Sequence, residues 1–177
     1  ESDTDDWRIR RGGWTTRPAR PEDAPAVARL FHESARQAWS TFLEPARLAA
    51  APLDIAAWTA RIRAAGNAFL VTEDHQGIAA FSRILPEQGE VDLLYTHPRA
   101  SGQGLARRLL ERATWTLLCV GHVEAVLWTE ARNTRARAVY EANGWRRDGG
   151  IDERDYLGTP IRNERFRLDL RRFAGGR

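Results

Sequence analysis

Lysine and methionine are absent from these 177 residues, and cysteine occurs once, at Cys119. All 27 basic residues are therefore arginine, which fits the codon bias of a GC-rich genome better than a dedicated binding device. The arginines are interleaved with 24 acids for a net charge of +3, and no run of five bases occurs, so a nucleic-acid-binding arm is not expected. One cysteine excludes an internal disulfide. Lying among Leu117, Leu118 and Val120, Cys119 is expected to be a buried small hydrophobe. With no Met the chain lacks an initiator, which leaves a processed protein and a piece of a longer one both open. No apolar run approaches the roughly 18 residues of a membrane helix. The segment Glu1 to Asp6 is acidic and does not read as a secretory signal, so a cytoplasmic location without membrane attachment is expected. His32, His75 and His122 share no ligand-like spacing with Cys119 or the acids, and no metal is expected.

What is present is ordinary for one globular domain: 42% apolar and 29% charged residues. Residues 1–12 read as a loose tail and 13–172 as the domain. A first strand is expected at Trp14 to Ala19, then a helix opened by Pro21-Glu22-Asp23 and carrying Val27, Leu30, Phe31 and Ala35 on one face. Residues 39–53 read as loop or broken helix, and Asp54 caps a helix that ends at Gly66. Three strands follow, at 68–73, 78–85 and 90–96, then a helix over 104–120 with Leu105, Leu109, Ala113 and Leu117 four apart. A strand at 123–129, a helix at 133–143 and strands at 145–147 and 165–170 complete the chain. The last two are joined by an acidic loop holding Asp152, Glu153 and Asp155. The order implies an α/β fold with a mostly antiparallel sheet flanked by helices.

Two segments carry chemistry. From Tyr95 the chain runs from a strand through Ser101-Gly102-Gln103-Gly104 into the helix of Leu105 and Ala106. A Gly-containing turn at a helix N-terminus offers free backbone N–H groups and partial positive charge, a setting for a pyrophosphate. Arg107 and Arg108 follow one turn in. It is neither a P-loop, for no Gly-Lys-Ser/Thr follows, nor a Gly-x-Gly-x-x-Gly dinucleotide turn. Further on, Asn133, Ala136 and Tyr140 fall at spacings of three and four on one helix face, and Asn143-Gly144-Trp145 ends that helix.

Together these segments resemble the two motifs of the GNAT superfamily of acetyltransferases. Ser101-Gly102-Gln103-Gly104-Leu105-Ala106 is similar to Gln/Arg-x-x-Gly-x-Gly/Ala, departing from it at Ser101. Asn133-x-x-Ala136-x-x-x-Tyr140-x-x-x-Gly144-Trp145 is similar to the second motif. The resemblance spans about residues 14–170. It implies transfer of an acetyl group from acetyl-CoA directly to a primary amine. The donor would be held by Leu94, Tyr95 and Thr96, by 101–106 and by Asn133. Tyr140 would protonate the leaving thiolate, and Glu90, with Asp92 as second choice, would serve as base. His97, before Pro98, reads as structural or solvent-facing. The acceptor site is expected between the early helices and the late loop, at Trp39, Phe42, Trp58, Trp128, Glu130 and Tyr156, near Glu153 and Asp155. A small-molecule amine is the expected acceptor. A peptide or protein amine, a non-catalytic acyl-CoA-binding domain and a homodimer stay open.

Overall fold

The computed structural model describes residues 9–40 and 43–173. Its strands are β1 (Ile9–Arg11), β2 (Trp14–Pro18), β3 (Phe69–Asp74), β4 (Gly77–Leu85), β5 (Glu90–Thr96), β6 (Glu124–Glu130), β7 (Arg146–Tyr156) and β8 (Thr159–Asp169). Its α-helices are α1 (Ala24–Trp39), α2 (Pro45–Ala50), α3 (Ile55–Ala65), α4 (Leu105–Cys119) and α5 (Thr134–Ala142). The strands form one sheet in the order β1-β2-β3-β4-β5-β6-β8-β7. Every pairing is antiparallel except β5 with β6.

Helices cover both faces. On one, Val27 and Leu30 of α1 and Trp58 and Ile62 of α3 pack on Phe69, Val71 and Phe81. On the other, Leu110, Ala113 and Leu117 of α4 pack on Ile84, Val91, Leu127 and Phe166. Val27 and Leu30 of α1 and Ala113 and Leu117 of α4 belong to the helical stripes expected from the sequence. They bury in opposite directions because alternate residues of β4 and β5 face opposite ways. The α3 cap is as read: the Asp54 carboxylate accepts the Ala57 N–H at 3.1 Å.

Three features differ from the sequence reading. The stretch read as a loose tail contains β1, paired with β2 through Ile9–Thr16. The acidic loop is instead strand: β7 and β8 form a hairpin from Tyr156↔Thr159 back to Arg146↔Arg167. Its turn, Leu157-Gly158, has φ of 53° and 77°, positive at both positions as a twisted two-residue hairpin turn requires. β7 is a sheet edge exposed along most of its length, so it has no apolar alternation to announce it. Cys119 is exposed, not buried. It stands two residues past the buried Leu117, about 200° round the helix, and so on the solvent side.

One polar tie joins the sheet to the start of α1. Arg17, 11% exposed, donates to Glu73 on β3 at 2.7 and 2.9 Å and to Asp23 at 2.7 and 3.0 Å. Asp23 also accepts the Arg20 N–H at 2.7 Å and holds the helix entrance. These bonds outweigh burial and keep the Asp23 carboxyl below its ordinary value. A depressed carboxylate contributes stability above its unfolded pKa and loses it as pH falls through the folded value. We predict that Arg17→Met lowers unfolding free energy by about 2–3 kcal/mol at neutral pH in urea denaturation. The loss should shrink below about pH 4, where Asp23 protonates in the unfolded chain.

Candidate active site

The site begins with an irregularity in β5. Arg83 of β4 faces Leu93, yet the next residue, Ile84, faces Val91, so Asp92 is an extra residue in β5. A bulge bends its strand, and here the bend turns β5 away from β6. The parallel pair is joined only at Glu90↔Val126 and Val91↔Leu127. Beyond these residues a cleft of about 820 Å³ opens, walled by Leu93 to Thr96 on one side and Trp128 to Glu130 on the other.

The exposed edge of β5 has a definite polarity. The His97 N–H bonds the Ala79 carbonyl at 2.7 Å, so alternation directs the Tyr95 amide into β4. The N–H groups of Leu94 and Thr96 then point into the opening. Tyr95 itself is turned into the core, 5.0 Å from Phe31 and 5.3 Å from Phe81 between ring centroids. Burial pushes its phenol far above the ordinary value. Of the three β5 residues expected at the donor, Leu94 and Thr96 present amides and Tyr95 does not.

At one end of the cleft the chain leaves β5 through a short 3-10 turn, Pro98–Ala100, and enters α4. His97 is engaged in structure: its Nδ1 accepts the Arg99 N–H at 3.1 Å and its Nε2 meets Glu33 at 2.6 Å. Gly102 and Gly104 both have φ of +76°, and a side chain there would meet no atom within 4 Å. Glycine is needed for the backbone angle, and the space it leaves faces the cleft. The first-turn N–H groups of α4, at Leu105, Ala106 and Arg107, have no carbonyl behind them in the helix. Ser101, Gly102, Gly104, Leu105 and Ala106 line this end. Gln103 does not bring its side chain there: its Oε1 accepts from Trp14 Nε1 at 3.1 Å and its Nε2 donates to the Arg99 carbonyl. Arg107 lines the cleft, as does Arg135 of α5, whose guanidinium donates to Ser101 Oγ. Sequence reasoning misses Arg135, although its position two residues after Asn133 places it in the first turn of the helix carrying Tyr140.

Midway, Tyr140 enters the cleft from α5. It is 7% exposed and packs on Phe166, and burial raises its phenol to about 12. Asn133 also lines the cleft, but its Oδ1 caps α5 by accepting the Ala136 N–H at 3.1 Å.

The acids divide unequally. Asp92 lines the cleft and is paired with Arg83 at 3.1 Å. Glu90 lies just below the wall, half-buried; burial, then the neighbouring Asp92, raise its pKa against the pull of Arg154 and Arg83. At the far end Trp39 and Tyr156 meet edge to face, 4.4 Å between centroids, and join α1 to the β7–β8 hairpin. Trp128, Glu130 and Asp155 line the same region, with Arg165 over the Trp128 ring at 5.4 Å. Trp58 is not in the site: it is 5% exposed and packs among Phe31, Phe69 and Phe81. Glu153 is exposed on β7 and away from the cleft wall. Phe42 lies outside the described residues. Among the described residues no group of three or more His, Cys, Asp or Glu is placed to hold a metal. No helix there is long and apolar enough to cross a membrane.

The model of the acetyltransferase (GNAT) domain family matches residues 65–147, from the end of α3 to the start of β7. That span contains the bulge, the glycine turn and Tyr140. The "Probable N-acetyltransferase Rv2775" of Mycobacterium tuberculosis is 27% identical over 160 residues, 82% of this chain and 84% of its own. Among solved structures, the GCN5-related N-acetyltransferase of Rhodopseudomonas palustris superposes with a TM-score of 0.76 at 19% identity, over 91% of this chain and 98% of its own. The PaiA N-acetyltransferase of Thermoplasma acidophilum, in complex with coenzyme A, superposes at 0.68 with 17% identity, over 85% and 97%. The match to the acetyltransferase (GNAT) domain family covers residues 65–147, just under half of the chain, and the fold of the whole is that of these solved N-acetyltransferases.

Proposed function

We propose that the chain moves the acetyl group of acetyl-CoA directly to a primary amine of a small molecule, within the cleft between β5 and β6. The parting of these strands past Val91 and Leu127 carries this reading. It presents two unpaired amides on one wall opposite a protonated phenol on the other.

The pyrophosphate rests on the glycine turn and the first-turn amides of α4, with Arg107 and Arg135 adding charge. The pantetheine arm runs along the open edge of β5, as an added strand would. The thioester carbonyl meets the Leu94 and Thr96 amides. The neutral amine attacks the carbonyl carbon, and the oxygen gains negative charge that these amides stabilise. As the C–S bond breaks, Tyr140 gives its proton to the sulfur; a phenol at about 12 is fully protonated at neutral pH. The proton lost by the amine passes through water to Glu90, whose raised pKa suits a base better than the arginine-paired Asp92 does. The Trp39–Tyr156 contact roofs the acceptor end, which favours a small acceptor over an extended polypeptide.

Three outcomes are expected from steady-state kinetics with thiol release as the signal, supplemented by calorimetry. Tyr140→Phe lowers kcat about 10²–10³-fold and leaves the KM for acetyl-CoA within about threefold. Glu90→Gln lowers kcat/KM and removes the acidic limb set by that residue. In the wild type, activity falls as pH drops through a Glu90 pKa above the ordinary 4.5. Gly104→Val, which forces a β-branched residue to φ +76°, weakens acetyl-CoA binding about tenfold or more by calorimetry. Retained acetyl-CoA affinity in Gly104→Val would remove the glycine turn from the donor site.

A further inference from the structure

Glu130 ends β6 in the cleft wall, is 5% exposed, and its Oε2 has no hydrogen-bond partner among the described residues. The Arg132 Nε comes no nearer than 3.8 Å to the other oxygen, from a largely exposed side chain. A buried carboxylate without a close partner is costly, because it gives up its water and gains no counter-charge in return. Two other charges at this end are already matched. Asp92 is held by Arg83 at 3.1 Å, and the Arg154 Nε donates to Asp152 at 2.7 Å. Asp155 spends Oδ1 on the Gly158 N–H at 3.1 Å. Glu130 is the buried charge in the wall with an oxygen that no hydrogen bond occupies.

Its position relative to Tyr140 decides which cation. Leu127 of β6 shares a core with Tyr140 and Phe166. Strand alternation turns Trp128 and Glu130 to the opposite face, where their cross-strand neighbours are Arg165 and Asn163. The carboxylate therefore stands on the acceptor side, across the sheet from the phenol. A nitrogen held against a buried carboxylate is kept protonated, and a protonated amine has no lone pair with which to attack. The point that holds charge and the point that reacts are different atoms of the acceptor.

We propose that Glu130 docks a second, cationic nitrogen of the acceptor, so that the chain prefers diamines, or amines bearing a further basic group, over monoamines of the same length. This rests on the assignment of the cleft to an amine acceptor made above. Trp39, Tyr156 and Trp128 add aromatic surface to this end of the cleft.

The test compares wild type with Glu130→Gln by calorimetry, first titrating acetyl-CoA, then titrating CoA-saturated protein with short α,ω-diamines and with amino alcohols of equal length. The expected result is a preference for diamine of about tenfold or more in the wild type, a ratio near one in Glu130→Gln, and unchanged acetyl-CoA affinity. Melting of the free proteins supplies a second reading: Glu130→Gln, relieved of an uncompensated charge, melts no lower than the wild type. Equal binding of diamine and amino alcohol by the wild type overturns the proposal. So does a diamine preference that survives in Glu130→Gln, or a lower melting temperature that marks the carboxylate as structural. Failure of the wild type to bind acetyl-CoA would instead overturn the cleft assignment itself, and this inference with it.

Discussion

Strands β5 and β6 begin side by side and do not remain so. The extra residue at Asp92 bends β5 after Val91, and the two strands share only two registered positions. Backbone N–H and C=O groups left open inside a protein need partners. The open edge of β5 therefore fits an extended, amide-bearing molecule that can pair as a strand would. The pantetheine arm of the co-substrate has that chemistry. The same bend sets the polarity of the edge, because His97 must still pair with Ala79 and so fixes which amides turn outward. The proposed reaction geometry thus follows from one inserted residue in β5.

Charge is distributed along the cleft in the same direction as the chemistry. Arg107 and Arg135 both line the cleft, Arg135 bonding Ser101 beside the glycine turn where the first turn of α4 adds its dipole, and this end suits phosphate. Glu130 and Asp155 stand at the other end beneath the Trp39–Tyr156 contact, and this end suits a cation. Between them Tyr140 is dry enough to keep its proton. Ser101 departs from the usual Gln or Arg of the first family motif, and the guanidinium at that corner comes instead from α5 through Arg135. The first turn of α5 is thereby tied to the loop that precedes α4, beside the proposed donor site.

The legible parts of this design are local ones. Gly102, Gly104 and Leu105 announce a strand-to-helix turn because the turn needs those residues wherever it occurs. Asn133, Ala136 and Tyr140 share a face by helical spacing alone. Features that depend on partners far along the chain are not legible. The Asp92 bulge exists only relative to the register of β4, and nothing in β5 by itself announces it. Gln103 looks available beside two glycines, but folding brings Trp14 within 3.1 Å and takes the side chain away. The β7–β8 hairpin is polar because it is an edge, so its strands read as loop. Trp58 and Cys119 are different, because helical spacing does place them. Trp58 lies four residues before Ile62 on the buried face of α3, and Cys119 lies off the apolar stripe of α4 set by Leu109, Ala113 and Leu117.

The central claim is that the Leu94 and Thr96 amides are open in the free protein and taken up by the donor. Residue-resolved amide hydrogen exchange, with and without acetyl-CoA, tests it directly. The account predicts fast exchange at Leu94 and Thr96 in the free protein, slow exchange at Tyr95 between them, and protection of both on adding acetyl-CoA. Equal protection of all three in the free protein, or no change at Leu94 and Thr96 when acetyl-CoA binds, would contradict it.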